Sequence, residues 1–184
     1  YFFNQFDVKI FRAERINTHG GSLRVYISKN KKIKISANVK KILKEEEKFG
    51  IKKFKTYEKF GEKINNIKKN VLKNISLIKK NNHEIIGYGS PAKATTALNF
   101  FGISNEIDYI IEDNKLKQGK YIPGVKIPIV NGNKKNTSNS FLLVLAWNFY
   151  NEIKKKNENK FKQIINIKSL ESENFLNEYK KNNS

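Results

Sequence analysis

Glu84-Ile85-Ile86-Gly87-Tyr88-Gly89-Ser90-Pro91-Ala92-Lys93 decides the fold. A short apolar run leads directly into a Gly-x-Gly turn, and Ala94-Thr95-Thr96-Ala97-Leu98-Asn99-Phe100-Phe101 then reads as a helix that Gly102 ends. A strand-turn-helix junction of this kind is the repeating unit of a parallel α/β sheet. In such sheets the ligand crevice lies at the carboxyl ends of the strands, where the turn and the helix N-terminus present backbone N–H groups to an anion.

Downstream the alternation continues. Ile107-Asp108-Tyr109-Ile110-Ile111 reads as a buried strand ending in Glu112-Asp113, about 20 residues past the turn, where an acidic residue meets a ribose hydroxyl in dinucleotide-binding folds. After the loop Lys117-Gln118-Gly119-Lys120-Tyr121-Ile122-Pro123-Gly124, a short strand is expected over Val125 to Val130 and a polar loop over Asn131 to Ser140. Phe141-Leu142-Leu143-Val144-Leu145-Ala146 is continuous and apolar, as a strand covered on both faces must be, and it ends in Trp147-Asn148. A helix from Phe149 to Lys156 and a last strand near Ile164 to Ile167 follow, then a polar tail from Ser169.

Upstream, Asp7 to Ala13 and Ser22 to Ser28 alternate with period two around Asn17-Thr18-His19-Gly20-Gly21, which predicts two strands joined through a glycine pair. Val39, Ile42 and Leu43 set a helix over Asn38 to Lys48 that Gly50 stops. From Thr56 to Lys80 an apolar residue recurs every three or four positions, the signature of one long amphipathic helix packed on a core. The expected fold is α/β: a Rossmann-like three-layer α/β/α domain with a mostly parallel sheet over 83–168. It is preceded by a strand pair over 1–36 and a helical connector over 37–82, and followed by a polar tail over 169–184.

Composition bounds the chemistry. The chain has 184 residues, 38% hydrophobic and 29% charged, with 13 Phe and 8 Tyr, enough apolar material for one folded domain or one with an appendage. No run approaches the roughly 18 to 20 apolar residues of a membrane span, and Tyr1-Phe2-Phe3 is too short for a signal-peptide core, so a soluble, cytoplasmic protein is expected. The absence of cysteine excludes disulfides, thiol nucleophiles and Cys-ligated zinc; two histidines do not make a His-rich metal site, and no metal is expected. The formal charge of +20 invites a nucleic-acid reading. The basic residues are nearly all Lys, however, with Arg only at 12, 15 and 24, and Lys, Asn and Ile are enriched together throughout, as in an AT-rich genome. The excess is read as solvated surface, since nucleic-acid recognition favours the forked guanidinium. The chain opens at Tyr1 in an apolar segment and contains no Met, which suggests that it begins inside a longer protein.

Taken by themselves, the motifs leave alternatives open. Gly87-x-Gly89 lacks the third glycine of the dinucleotide fingerprint, with Ala at 92 and Pro at 91. A non-redox nucleotide or phosphate contact fits it better than a nicotinamide cofactor, and a plain tight turn fits it as well. His19, Ser22 and Arg24 set polar donors around Gly20 and Gly21, without an Asp or Cys spaced to make a triad. Trp147-Asn148 reads either as core and cap or as an aromatic and amide pair suited to a sugar or base.

Four stretches in order carry a resemblance. They are Thr18-His19-Gly20-Gly21-Ser22-Leu23-Arg24-Val25-Tyr26, Gly87 to Lys93, Asp113-Asn114 with Lys117 to Gly124, and Leu145-Ala146-Trp147-Asn148-Phe149. Together they resemble the C-terminal region of the S-adenosylmethionine-dependent sugar C-methyltransferases, from about Val8 to Ile167. The resemblance implies a nucleotide-linked keto-sugar substrate, methyl transfer to the enolate carbon beside the ketone, and S-adenosylmethionine bound mainly by an upstream methyltransferase domain supplied in the same chain or by a partner. It implies products used as branched sugars in antibiotics or surface polysaccharides. The family's zinc cysteines and its Tyr, Glu and His cluster near the base are absent from this chain, so no catalytic base is assigned; His19 is a candidate site residue only. The glycines at 20, 21, 87 and 89 would bring backbone to phosphate or sugar, and Lys93 would meet a diphosphate. Asp113, Lys117, Lys120 and Asn148 would hydrogen-bond sugar or nucleoside, with Tyr88, Ser90, Pro91, Ala92, Gln118 and Trp147 beside them. A stand-alone, non-catalytic nucleotide-binding or assembly module is the alternative.

Overall fold

The computed structural model describes residues 2–132, 137–173 and 175. The chain divides into two compact units, Tyr1–Glu62 and Lys63–Ser184. The division falls inside the long helix that runs from Phe54 to Lys80.

In the first unit, β1 (Lys9–Ile16) and β2 (Ser22–Ser28) pair antiparallel, with a register shift between Ile10 and Arg12. A 3-10 turn, Thr18–Gly20, joins them, and Gly21 follows at φ 116°, in backbone space that favours glycine. Helix α1 (Ala37–Phe49) begins where the Ser36 hydroxyl accepts from the Asn38 N–H, and ends at Gly50 in the left-handed conformation. An Arg15–Glu45 ion pair at 2.7 Å ties β1 to α1. The alternation of β2 predicts one covered face, but Leu23, Val25 and Ile27 are 49, 40 and 47% exposed. Two strands and a helix that packs on β1 leave that face open.

The second unit is the α/β domain. Helix α2 (Phe54–Lys80) contributes Val71, Asn74, Ile75 and Ile78 of its last turns to the interior. There follow β3 (Glu84–Tyr88), α3 (Ala92–Phe101), β4 (Tyr109–Ile111), β5 (Ile129–Val130), β6 (Ser140–Val144), α4 (Tyr150–Lys156) and β7 (Gln163–Asn166). All five strands are parallel in the order β5-β4-β3-β6-β7. Successive residues of a strand face opposite sides, and both sides are buried here. Ile85, Ile110, Phe141 and Leu143 pack with α2 and α3, whereas Ile86, Ile111, Leu142 and Val144 pack with Ile153 of α4. That is the expected three-layer arrangement, and each fully buried Leu or Ile contributes about 1.5–3 kcal/mol.

Several boundaries move for local reasons. The β5 strand is two residues long because Tyr121 bridges Pro128, Ile122 pairs with Ile127, and Lys126 adopts φ 55°; residues 121–128 fold back on themselves before the strand begins. The β6 strand stops at Val144, where the N–H groups of Leu145 and Ala146 converge on the Tyr88 carbonyl, and Trp147–Phe149 turn as a 3-10 helix. The expected tail from Ser169 starts as structure: Ile167–Glu171 form a 3-10 helix with Leu170 fully buried, and Phe175 is 2% exposed. Asn74 fixes this segment, since its side-chain amide donates to the carbonyls of Leu170 and Ser172 at 2.9 and 3.0 Å. The rest of the tail, and residues 133–136 of the expected loop, lie outside the described residues. Among the described residues, no helix is long and apolar enough to cross a membrane.

Candidate functional site

The sheet order reverses direction between β3 and β6: the chain leaves β3 toward β4 and β5, then returns to β6 and β7 on the other side. At such a switch point the loops leaving neighbouring strands diverge and open a crevice at their carboxyl ends. A cleft of about 390 Å³ lies there, lined by Gly89, Ser90 and Pro91 after β3, Glu112 and Asp113 after β4, and Phe149 after β6, together with Lys117, Glu152 and Lys156. The strand ends thus gather residues far apart in sequence.

The turn after β3 is held by chemistry inside the chain. Ser90 donates its N–H and its hydroxyl to Glu112 Oε2 at 2.9 and 2.5 Å, and the Asn114 N–H donates to the other oxygen. Lys117 donates to the Ser90 carbonyl at 3.0 Å and stands 3.6 Å from the Glu112 carboxylate. Burial pushes the Glu112 carboxyl up, but these hydrogen bonds and the Lys117 charge outweigh it and hold the group below the usual carboxylate range. Gly89 sits at φ 84°, and a Cβ there would lie 2.7 Å from that of Ala146. Gly87 has a different role from the one expected. A Cβ at 87 would meet Ile110 Cγ1 at 2.7 Å and Leu145 Cδ1 at 3.1 Å, so this glycine makes room for core side chains, not for a ligand.

Beside the turn, three side chains form a compact charged network. The Tyr88 hydroxyl donates to Asp113 Oδ2 at 2.8 Å, and Lys156 donates to the same oxygen at 2.7 Å and to the Tyr88 hydroxyl at 3.0 Å. The hydrogen bond from Lys156 lowers the Asp113 carboxyl, and Asp113 in turn raises the Lys156 ammonium. Burial raises the Tyr88 phenol, which therefore stays neutral and remains a donor.

Lys93 lies in the first turn of α3, where its charge opposes the helix dipole. Its Nζ sits 4.2 Å from the centre of the Trp147 ring, and Lys168 approaches the same ring at 5.9 Å. Trp147 is half-buried against the core and Asn148 is exposed on the 3-10 turn. Gln118 donates to the Glu112 carbonyl at 2.7 Å. Lys120 lines a second cleft, with Ser90, Ala92 and Lys117.

Gly87, Tyr88, Gly89, Ser90, Pro91, Ala92, Lys93, Asp113, Lys117, Gln118, Lys120, Trp147 and Asn148 all belong to the second unit. His19, Gly20, Gly21, Ser22 and Arg24 belong to the first, on the β1–β2 hairpin, where Ser22 donates to the Thr18 carbonyl and Arg24 stands 3.8 Å from Glu14. Sequence reasoning passed over Glu112 as a site residue in favour of Asp113 and missed Lys156 and Lys168. Lys156 was recoverable: it follows Ile153 by three positions, which puts both on one helix face, and Ile153 is an apolar residue of the short helix that had to pack on the sheet. Nothing local marks Lys168.

The donor set does not suit S-adenosylmethionine at the glycine turn. The Ser90 N–H that would meet a ligand is taken by Glu112, and the Asp113 carboxylate is engaged by Tyr88 and Lys156. Among the described residues, no group of His, Asp or Glu side chains could hold a metal ion.

The sheet order defines a Rossmann-like α/β domain with a cleft at its switch point. Residues 17–166 match the family described as the C-methyltransferase C-terminal domain, and the chain belongs to that family. Over 154 residues it is 27% identical to a protein of Streptomyces niveus, C-methyltransferase NovU, and the match covers 82% of this chain and 37% of that protein. The chain therefore spans well under half the length of the relative it matches.

Proposed function

We propose that this chain is the substrate-binding region of an S-adenosylmethionine-dependent C-methyltransferase that acts on a nucleotide-linked keto-sugar. The observation that carries the reading is the cleft at the β3–β6 switch point, whose lining includes Lys117 and Lys156, in a chain that belongs to the C-methyltransferase C-terminal domain family. A diphosphate needs cations at a crevice, and a sugar needs hydrogen-bonding groups beside it. Both types of group line this cleft. S-adenosylmethionine is bound by a separate methyltransferase domain, in the same polypeptide or a partner; the poor fit of the glycine turn to that cofactor supports this division. So does the open apolar face of β2, with Leu23, Val25 and Ile27, since exposed contiguous apolar surface marks a contact with another protein surface. The methyl group goes to the carbon next to the ketone after a base outside this chain removes its proton, and the protein works in carbohydrate biosynthesis in the cytoplasm.

The test is thermal-shift titration of the chain with nucleoside diphosphates and nucleotide-sugars in about 150 mM salt, which screens loose phosphate binding. A ligand that binds the native state raises the melting temperature. A selective rise with one nucleotide-sugar supports the reading; no rise with any of them defeats it.

A further inference from the structure

Helix α2 runs for 27 residues through the boundary between the two compact units, which falls between Glu62 and Lys63. We propose that residues 58–66 of this helix are a hinge, a weak stretch at which the helix bends so that the two units reorient as bodies. Such a hinge is independent of which ligand the cleft takes.

The two ends of the helix are held and the middle is not. At the start, the Thr56 hydroxyl donates to the Gly50 carbonyl at 2.8 Å, and the Tyr57 hydroxyl donates to the carbonyl of Ile51. Toward the other end, Ile67 packs against the core, and Val71, Asn74, Ile75 and Ile78 are buried. From Glu58 to Asn66, in contrast, no residue is buried; Gly61 and Ile64 are half-buried, and the others are exposed, Phe60 by 62%. A helical stretch without tertiary packing rests on its own backbone hydrogen bonds, and one this short is not stable by itself in water.

The residues of this stretch weaken it further. Gly61 is the one glycine of α2, and neither backbone nor packing asks for it: its φ is not positive, and a Cβ there would meet no atom within 4 Å. Alanine would fit, so glycine lowers the stability of the helix and gains no contact in exchange. Asn65 and Asn66 are poor helix formers, because their side chains compete for nearby backbone groups. Glu58 and Glu62 are like charges four positions apart, and so are Lys59 and Lys63; pairs at that spacing share a helix face and repel. Local preference therefore opposes the helix at the place where no packing supports it, beside the boundary between the units. Weak segments of this kind are where proteins open and bend.

The chain contains no cysteine, so nitroxide labels go only where a cysteine is introduced. Lys55→Cys with Ser76→Cys places two labels on exposed positions of α2, one on each side of the stretch, and Ser76→Cys with Thr96→Cys places both within the second unit. On a straight helix the first pair lies about 30 Å apart, at about 1.5 Å per residue. Pulsed electron spin resonance is expected to give a distance distribution for that pair which extends below this value and is about two-fold wider than for the second pair. Replacing the weak positions by the best helix former, in Gly61→Ala with Asn65→Ala and Asn66→Ala, should bring the width down to that of the second pair. In parallel, the backbone amides of 60–66 should exchange with deuterium about ten-fold or more faster than those of 72–78, and slow in the triple variant. A narrow distribution near 30 Å in the otherwise unaltered chain overturns the hinge. A wide one that the triple variant leaves unchanged also overturns it, since the bending then does not arise in 58–66, and so does exchange in 60–66 as slow as in 72–78.

Discussion

The Ser90 backbone N–H and the Ser90 hydroxyl donate to the same oxygen of Glu112. The turn after β3 thus carries its own anion, and the chain's acid occupies the position that a ligand phosphate takes in many βα junctions. A Gly-x-Gly turn with this partner is a structural joint between β3 and β4 as well as one wall of a cleft.

Glu112→Gln should lower stability near neutral pH by about 1–3 kcal/mol, the usual cost of leaving buried donors with a weaker acceptor. The pH dependence gives a sharper signature. The folded-state carboxyl lies below its ordinary value of 4.5, so its stabilisation is fully present above that value and is lost as pH falls through the folded pKa. The gap between wild type and variant in urea unfolding should therefore be constant from neutral pH down to about 5 and narrow below it. A gap independent of pH down to the acid limit would show that the carboxylate charge plays no part.

Gly87→Ala tests the packing role of that glycine. The added methyl would stand 2.7 Å from a methylene of Ile110 and 3.1 Å from a methyl of Leu145, both fully buried. Overpacking of this kind costs about 1–3 kcal/mol. A lowered denaturation midpoint with an unchanged urea slope is the expected result, and an unaltered midpoint would mean the core yields there.

Asn74→Ala removes the donor that holds Leu170 and Ser172. We expect a loss of about 1–3 kcal/mol, because two acceptors lose a buried amide partner. Hydrogen exchange should quicken over residues 167–172 more than in β6. A uniform change across the domain would instead place Asn74 in the global core.

Much of this fold was legible because its signals are local. Glu84 to Phe101 announces strand, turn and helix within eighteen residues of one another, and Phe141 to Val144 has no other stable home than a strand buried on both faces. The four ordered motifs carried the family as well. What stayed hidden depends on partners distant in sequence. Nothing around Gly87 reveals that Ile110 fills the space above it, and the Glu112–Ser90 bond joins residues from two different strand ends. Leu170 sits in a stretch of Lys, Ser and Glu that reads as a solvated tail until Asn74 is placed opposite it. The alternation of β2 was read correctly as a strand, yet periodicity says which residues share a face, not whether this chain supplies the cover.

Lys93 separates a ligand role from a structural one. In the first turn of α3 its charge meets the positive end of the helix dipole, which costs about 0.3–1 kcal/mol, and the Trp147 ring returns about 0.5–1 kcal/mol. These terms nearly cancel, so Lys93→Ala should leave the melting temperature of the free protein almost unchanged. A residue held at such a balance contributes little to the fold, and its proposed role toward a ligand anion is read from the ligand-induced shift. The rise in melting temperature produced by a nucleotide-sugar should therefore shrink in Lys93→Ala and largely return in Lys93→Arg, which keeps the charge and its stacking on Trp147. A large fall in the stability of the ligand-free variant, with the ligand-induced rise intact, would assign Lys93 to the fold and remove it from the site.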